Sequence, residues 1–213
     1  MPLQNRVTPE GEIIADTMRG MFMGNRGILH DDHRTLGTSR WKHPHWIICL
    51  TEFRGRYRKV MAPRRYTEHF FLDEAVALAA GHRPCAECRR ADYNRYVDAV
   101  SAAFDQPPPR AATLDRKLHQ ERVTNRRQQK THQARLSELP DGTLFRLPDN
   151  PGQIRLRAGD RLLLWAKDRY FDDGMRTGSK SEDQTVEVLT PPLSVLALKS
   201  GYHPVLHPTA LSP

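Results

Sequence analysis

Gly81-His82-Arg83-Pro84-Cys85-Ala86-Glu87-Cys88-Arg89 is the stretch that most limits what this chain can fold into. Two cysteines separated by two residues sit on one backbone turn, where both sulfurs can face a single tetrahedral ion. Pro84 fixes its own φ and stiffens the approach to that turn. The residues just before it read as regular structure. Tyr66, Thr67, Phe70 and Phe71 give the segment 66–72 the aromatic and β-branched content of a strand. Asp73 is a good N-cap, Glu74 suits the positive end of a helix, and the Ala-rich run 74–80 has high helix propensity. Gly81 then supplies the left-handed residue that ends it. A strand, a short helix and a metal knuckle are thus expected in succession.

The chain has only three cysteines in 213 residues, too few for a closed disulfide framework and better suited to metal ligation in a reducing compartment. The third, Cys49, lies in Trp46-Ile47-Ile48-Cys49-Leu50-Thr51-Glu52-Phe53, within a strand expected over 41–53. Its alternation puts Ile47, Cys49 and Thr51 on one face. A site built on Cys49, Cys85 and Cys88 uses every thiol, which argues against a cysteine nucleophile.

The knuckle resembles the zinc-binding module of the bacterial methylation-response protein Ada and its relatives. The matching residues are Phe70, Phe71, Ala75, Ala77, Ala79, Gly81, Arg83, Pro84, Cys85, Cys88 and Arg89, over about a third of the chain, with His82 where an aromatic is frequent. The resemblance implies a zinc ion, an α+β module around it, and an association with DNA and DNA repair. It also implies a first ligand after a Gly-Ile-aromatic step, which here is Gly27-Ile28-Leu29-His30 and delivers an imidazole. His30 is therefore the expected fourth ligand. His45, four residues before Cys49, and His69, close to the knuckle, are the alternatives. The Ada-like module has four cysteines, one of which accepts a methyl group; no cysteine stands at that place here, which sets methyl-acceptor chemistry in question. A closed set of three thiolates and one imidazole is structural by default.

Charge points the same way as the resemblance. With 33 Lys and Arg against 25 Asp and Glu, the formal charge is +8, and the sequence pI is about 9.7. Such a balance favours polyanions, and Arg suits phosphate in particular. Nucleic acid, DNA first, is the expected partner. The candidate contacts are Arg54, Arg56, Arg58 and Lys59, on an expected edge strand after β-structure, and Arg122, Arg126, Arg127 and Lys130. A charge-protected edge strand and a solvated basic linker are the alternatives for these two runs.

A helix is expected over 90–104, with Tyr93, Tyr96, Val97, Val100 and Phe104 as its apolar stripe. Gln106-Pro107-Pro108-Pro109 ends it. Thr113 is the expected cap of a further helix through about Arg127. On it Asp115, His119 and Glu121, with Arg122, form a candidate phosphodiesterase or nuclease set, in which Asp115 orients His119 as a general base. An ordinary salt-bridged surface helix has the same spacing. From Leu139 a β-meander is expected, then a polar loop over 168–184, a strand over 185–189 and a helix over 193–200. His203 and His207 either complete a site with His119 or cap the end of the fold.

The expected organisation is α+β: residues 1–105 as a zinc-centred module with its following helix, 106–138 as basic helix and linker, and 139–213 as a small β-rich unit packed on the module. No 18-residue apolar run and no signal peptide is visible, so a cytoplasmic, membrane-free protein is expected. The leading functional expectation is a zinc-containing nucleic-acid-binding protein in DNA repair or processing. The alternatives are the phosphodiesterase and a non-enzymatic interaction module.

Overall fold

The computed structural model describes residues 1–57, 59–178 and 184–211. Its strands form two six-stranded sheets and its helices number five among those residues, an α+β arrangement as expected. The first sheet contains β1 (Gln4–Val7), β2 (Ile13–Ala15), β3 (Phe22–Asn25), β4 (Ile47–Leu50), β5 (His69–Phe71) and β6 (Arg83–Pro84), in the order β2-β1-β5-β3-β4-β6. The second contains β7 (His132–Arg135), β8 (Leu144–Leu147), β9 (Asn150–Ala158), β10 (Arg161–Trp165), β11 (Tyr170–Phe171) and β12 (Thr185–Val188), in the order β11-β10-β9-β8-β12-β7. The helices are α1 (Glu74–Ala79), α2 (Arg90–Phe104), α3 (Ala111–Arg122), α4 (Pro192–Lys199) and α5 (Pro208–Leu211).

Local chemistry accounts for the part of the first sheet that carries the knuckle. Asp73 caps α1 by accepting from the Val76 N–H at 2.9 Å. At the other end Gly81 has φ +81°, and Gly81 and His82 donate to the Leu78 and Ala77 carbonyls. That paired bonding is the Schellman closure a glycine permits. The chain then turns onto β6, which runs parallel to β4 with Ile47 opposite Arg83 and Ile48 opposite Pro84. Proline is tolerated there because the carbonyl of Ile48 takes its hydrogen bond from Cys85, one residue on.

One apolar core joins the two sheets. It runs from Val7 through Phe71, Leu78, Tyr96, Leu118, Leu144, Leu163 and Leu198 to Ala210. Tyr96 of α2 is fully buried, donates or accepts at Ser194 Oγ of α4 at 2.9 Å, and meets Tyr202 edge-on. Two buried ion pairs pin the knuckle to this core. Arg83 makes a bidentate contact with Asp115 of α3 at 2.8 Å through both nitrogens. Arg89 does the same with Glu74 of α1, whose carboxylate also accepts from Tyr202 Oη and the Val205 N–H. The C-terminal tail thereby lies across the start of α1, and the His207 N–H donates to Asp73. The ring of His207 caps the start of α5, its Nδ1 meeting Thr209 Oγ1 at 2.9 Å and accepting from the Thr209 N–H at 3.4 Å.

Several elements differ from expectation. The segment after β4 forms no strand among the described residues: Arg54, Gly55, Met61 and Arg64 have positive φ, and β3 and β6 flank β4 instead. Helix α3 begins at Ala111, directly after the prolines, so Thr113 lies inside it and caps nothing. It ends at Arg122 because Val123 is extended, and the basic run then folds back, with the Thr124 N–H donating to Gln128 and the Lys130 N–H to Arg122. Strand β7 forms within the 106–138 stretch expected to be basic helix and linker, and β11 lies inside the loop expected over 168–184. Among the described residues no helix is long and apolar enough to cross a membrane.

Candidate metal centre and arginine-lined cavity

The Sγ atoms of Cys49, Cys85 and Cys88 all lie within 4.8 Å of one another. Cys49 arrives from the middle of β4, while Cys85 and Cys88 arrive from the turn after β6, so the parallel β4–β6 pairing is what closes the group. Backbone donors surround the sulfurs. The Glu87 N–H donates to Cys85 Sγ at 3.4 Å, the Cys88 N–H also reaches Cys85, and the Leu50 N–H reaches Cys88. Hydrogen bonds shared among the thiols hold Cys85 far below its ordinary pKa, with the Cys49 thiol as the largest cause, and push Cys49 up correspondingly. Three sulfurs grouped in this way are the donor set a soft tetrahedral cation takes.

No histidine or carboxylate joins the three sulfurs among the described residues. His30, the expected fourth ligand, is turned away. Its Nδ1 meets Thr67 Oγ1 at 2.7 Å and its Nε2 meets the Ala62 carbonyl at 3.2 Å. His45 instead puts Nδ1 2.7 Å from Asp115 Oδ2, and His69, at the start of β5, is buried with neither ring nitrogen partnered. A cavity of about 390 Å³ opens beside the sulfurs, walled by Met23, Phe70 and Glu68, with Glu52, Arg56 and Tyr57 also lining it.

The structure does not bring Asp115, His119 and Glu121 together. Asp115 is buried and spent on Arg83 and His45. Glu121 Oε2 accepts from the Leu193 N–H at 2.8 Å and so caps α4. His119 meets Arg122 Nη2 through Nδ1 at 3.1 Å and packs edge-on against Trp41 and Trp46. Spacing on one helix placed these residues near one another, but partners on β6 and α4 claim two of the three side chains.

The basic residues divide into two places. Arg54, Arg56 and Lys59 are exposed near the sulfur cavity, with Arg56 paired to Glu87 at 2.9 Å; Arg58 lies outside the described residues. Arg126, Arg127 and Lys130 are exposed on the turn after α3, where Arg127 donates to the Thr38 carbonyl and Lys130 to that of Gln120. Arg122, by contrast, is 1% exposed. Its Nη1 and Nη2 donate to the Gly81 and Pro44 carbonyls, and its Cζ lies 3.9 Å from the Trp46 ring centre. Arg26, 2% exposed, stands 4.1 Å from the same ring. Both line a second cavity of about 440 Å³ with Arg40, Trp41 and Arg127. Sequence reading missed Arg26 and Trp46 because their partners are distant in the chain. On the wall of this cavity the two N–H groups of the Gln129 carboxamide are shared among three carbonyls, those of Pro9, Ala79 and Leu189.

Three cysteines placed to hold a metal ion are thus what the chain is seen to share with the Ada-like pattern. Comparison with protein-family models, with curated proteins and with solved structures returned no match.

Proposed function

We propose that this chain is a zinc-dependent nucleic-acid-binding protein, with DNA repair or processing as its setting. The observation that carries the reading is the convergence of Cys49, Cys85 and Cys88 beside a cavity whose lining includes Arg56. Three thiolates suit Zn²⁺, and with no histidine or carboxylate beside them among the described residues a bound ion would leave a position open to water or to a molecule in the cavity. An ion held by Cys49, Cys85 and Cys88 would supply Lewis acidity beside the cavity and would tie β4 to the turn after β6. The chain's own contribution is to hold the sulfurs by backbone N–H groups and to present Arg54, Arg56 and Lys59 nearby. The net charge of +8 supports a polyanionic partner. The repair setting rests on the resemblance of the knuckle.

Native mass spectrometry of protein purified without chelator tests the first half: one zinc per chain is expected, and none in Cys49→Ser. Titration with single- and double-stranded DNA and RNA at several salt concentrations tests the second. Affinity for DNA should fall steeply with salt, and Arg126→Glu with Arg127→Glu should weaken it on every sequence. Affinity that is absent, or indifferent to salt, removes the nucleic-acid assignment and leaves the metal site standing.

A further inference from the structure

Burying a cation without a counter-charge is costly, and a protein that buries two side by side has something to gain from an anion. Arg26 and Arg122 are in that position. Both guanidinium groups stand about the Trp46 ring, and neither forms an ion pair among the described residues. Their hydrogen bonds go to neutral acceptors: Arg26 donates to His82 Nε2 at 3.3 Å and the Gly11 carbonyl at 2.9 Å, and Arg122 to the Gly81 and Pro44 carbonyls. Arg26 Nη2 and Arg122 Nε are buried with no partner at all. Burial pulls the pKa of Arg26 down to about 9, with Arg40 adding to the effect, and burial followed by Arg26 pulls Arg122 well down too. The Trp46 face offsets part of this cost through cation–π attraction, but it supplies no negative charge.

The cavity these groups line adds Arg40 and Arg127, which likewise form no ion pair among the described residues. Its carboxylates are largely engaged. Glu10 and Glu187 both pair with Arg146, which leaves Glu12 as the remaining acidic side chain on the wall. The wall as a whole carries five guanidinium groups, Arg146 included, against three carboxylates, an excess of two positive charges that suits a doubly charged oxyanion. Trp41, half-buried on the same wall, offers an aromatic surface next to it.

We propose that the cavity formed by Arg26, Arg40, Trp41, Trp46, Arg122 and Arg127 binds a phosphate monoester, as carried by a nucleoside monophosphate or by the phosphorylated end of a nucleic-acid strand. The site uses none of the cysteines. It extends the nucleic-acid reading above without depending on it, because a free nucleotide carries the same group.

Calorimetric titration of the metal-loaded protein with adenosine monophosphate against adenosine, and with a 5′-phosphorylated single-stranded oligonucleotide against its 5′-hydroxyl form, provides the test. At least one phosphate-bearing probe should bind more tightly than its hydroxyl counterpart by about tenfold or more, the scale of one charge-assisted hydrogen bond. Arg40→Gln and Arg127→Gln, at exposed or half-buried positions, should erase most of that preference while melting like the parent protein. Lys199→Gln, which removes the same charge elsewhere, should retain it. Preference for the nucleotide alone keeps the phosphate site and counts against nucleic acid as the partner; preference for the oligonucleotide alone assigns the site to strand ends. If neither phosphate is preferred, or if the preference survives in both Arg variants, the proposal is wrong.

Discussion

Asp115 sits where two nitrogen-bearing side chains meet, one on β6 and one just before β4. Its carboxylate holds Arg83 through two 2.8 Å bonds and His45 through one of 2.7 Å. Because Arg83 is buried as well, removing the carboxylate leaves a charge stranded in the core. Asp115→Ala is expected to cost about 3–5 kcal/mol, read as a lower urea midpoint with an unchanged slope. A catalytic Asp115 would give the opposite outcome, full stability with lost turnover. The sequence displays the spacing Asp115, His119, Arg122 on one helix, and a part of that spacing is real, since His119 and Arg122 do touch. What the spacing cannot display is a partner 32 residues away, and long-range burial decides what a carboxylate is for.

At the scale of elements, the best-read pieces are those whose signals are local. The cap of α1, its closing glycine and the span of α2 follow from residues within a few positions of each end. The elements that escaped notice are held by distant pairing: β6 is two residues long and exists because β4 lies beside it, and β7 is zipped to β12. Gly81 links the two kinds of cause. A Cβ there would come within 2.4 Å of Arg122 Cδ, and the backbone is already left-handed. Gly81→Ala should therefore destabilise by about 1–3 kcal/mol from the strained φ alone. It should also displace the Arg122 side chain, so a lowered melting temperature should come with altered tryptophan fluorescence from Trp46. A variant that melts and fluoresces like the parent would contradict both parts.

For the whole molecule, the two sheets share one core, and that core contains two imidazoles it cannot easily charge. Burial, and after it the field of Arg26, holds His69 and His82 well below the ordinary histidine range. The unfolded chain takes up protons near pH 6.5 while the folded one does not, so stability is full above that pH and falls as the pH drops through it. One unit below, each histidine costs up to about 1.4 kcal/mol. Denaturant melts at pH 7.5 and 5.5 should show this loss, and His69→Phe should reduce the difference between the two. Equal midpoints at both values would mean that these rings titrate normally. None of this was visible in the sequence, where His69 drew attention only through its closeness to the cysteines.

Gln129 gives the arginine-lined cavity a property its composition does not. A single carboxamide is the junction of three otherwise separate segments: the turn after β1, the end of α1, and the residue after β12. The turn bearing Arg127 therefore cannot swing outward at its root unless all three junctions release together. A guest entering the cavity meets a chamber already in shape and surrenders little freedom of the host on arrival, which favours affinity from few contacts.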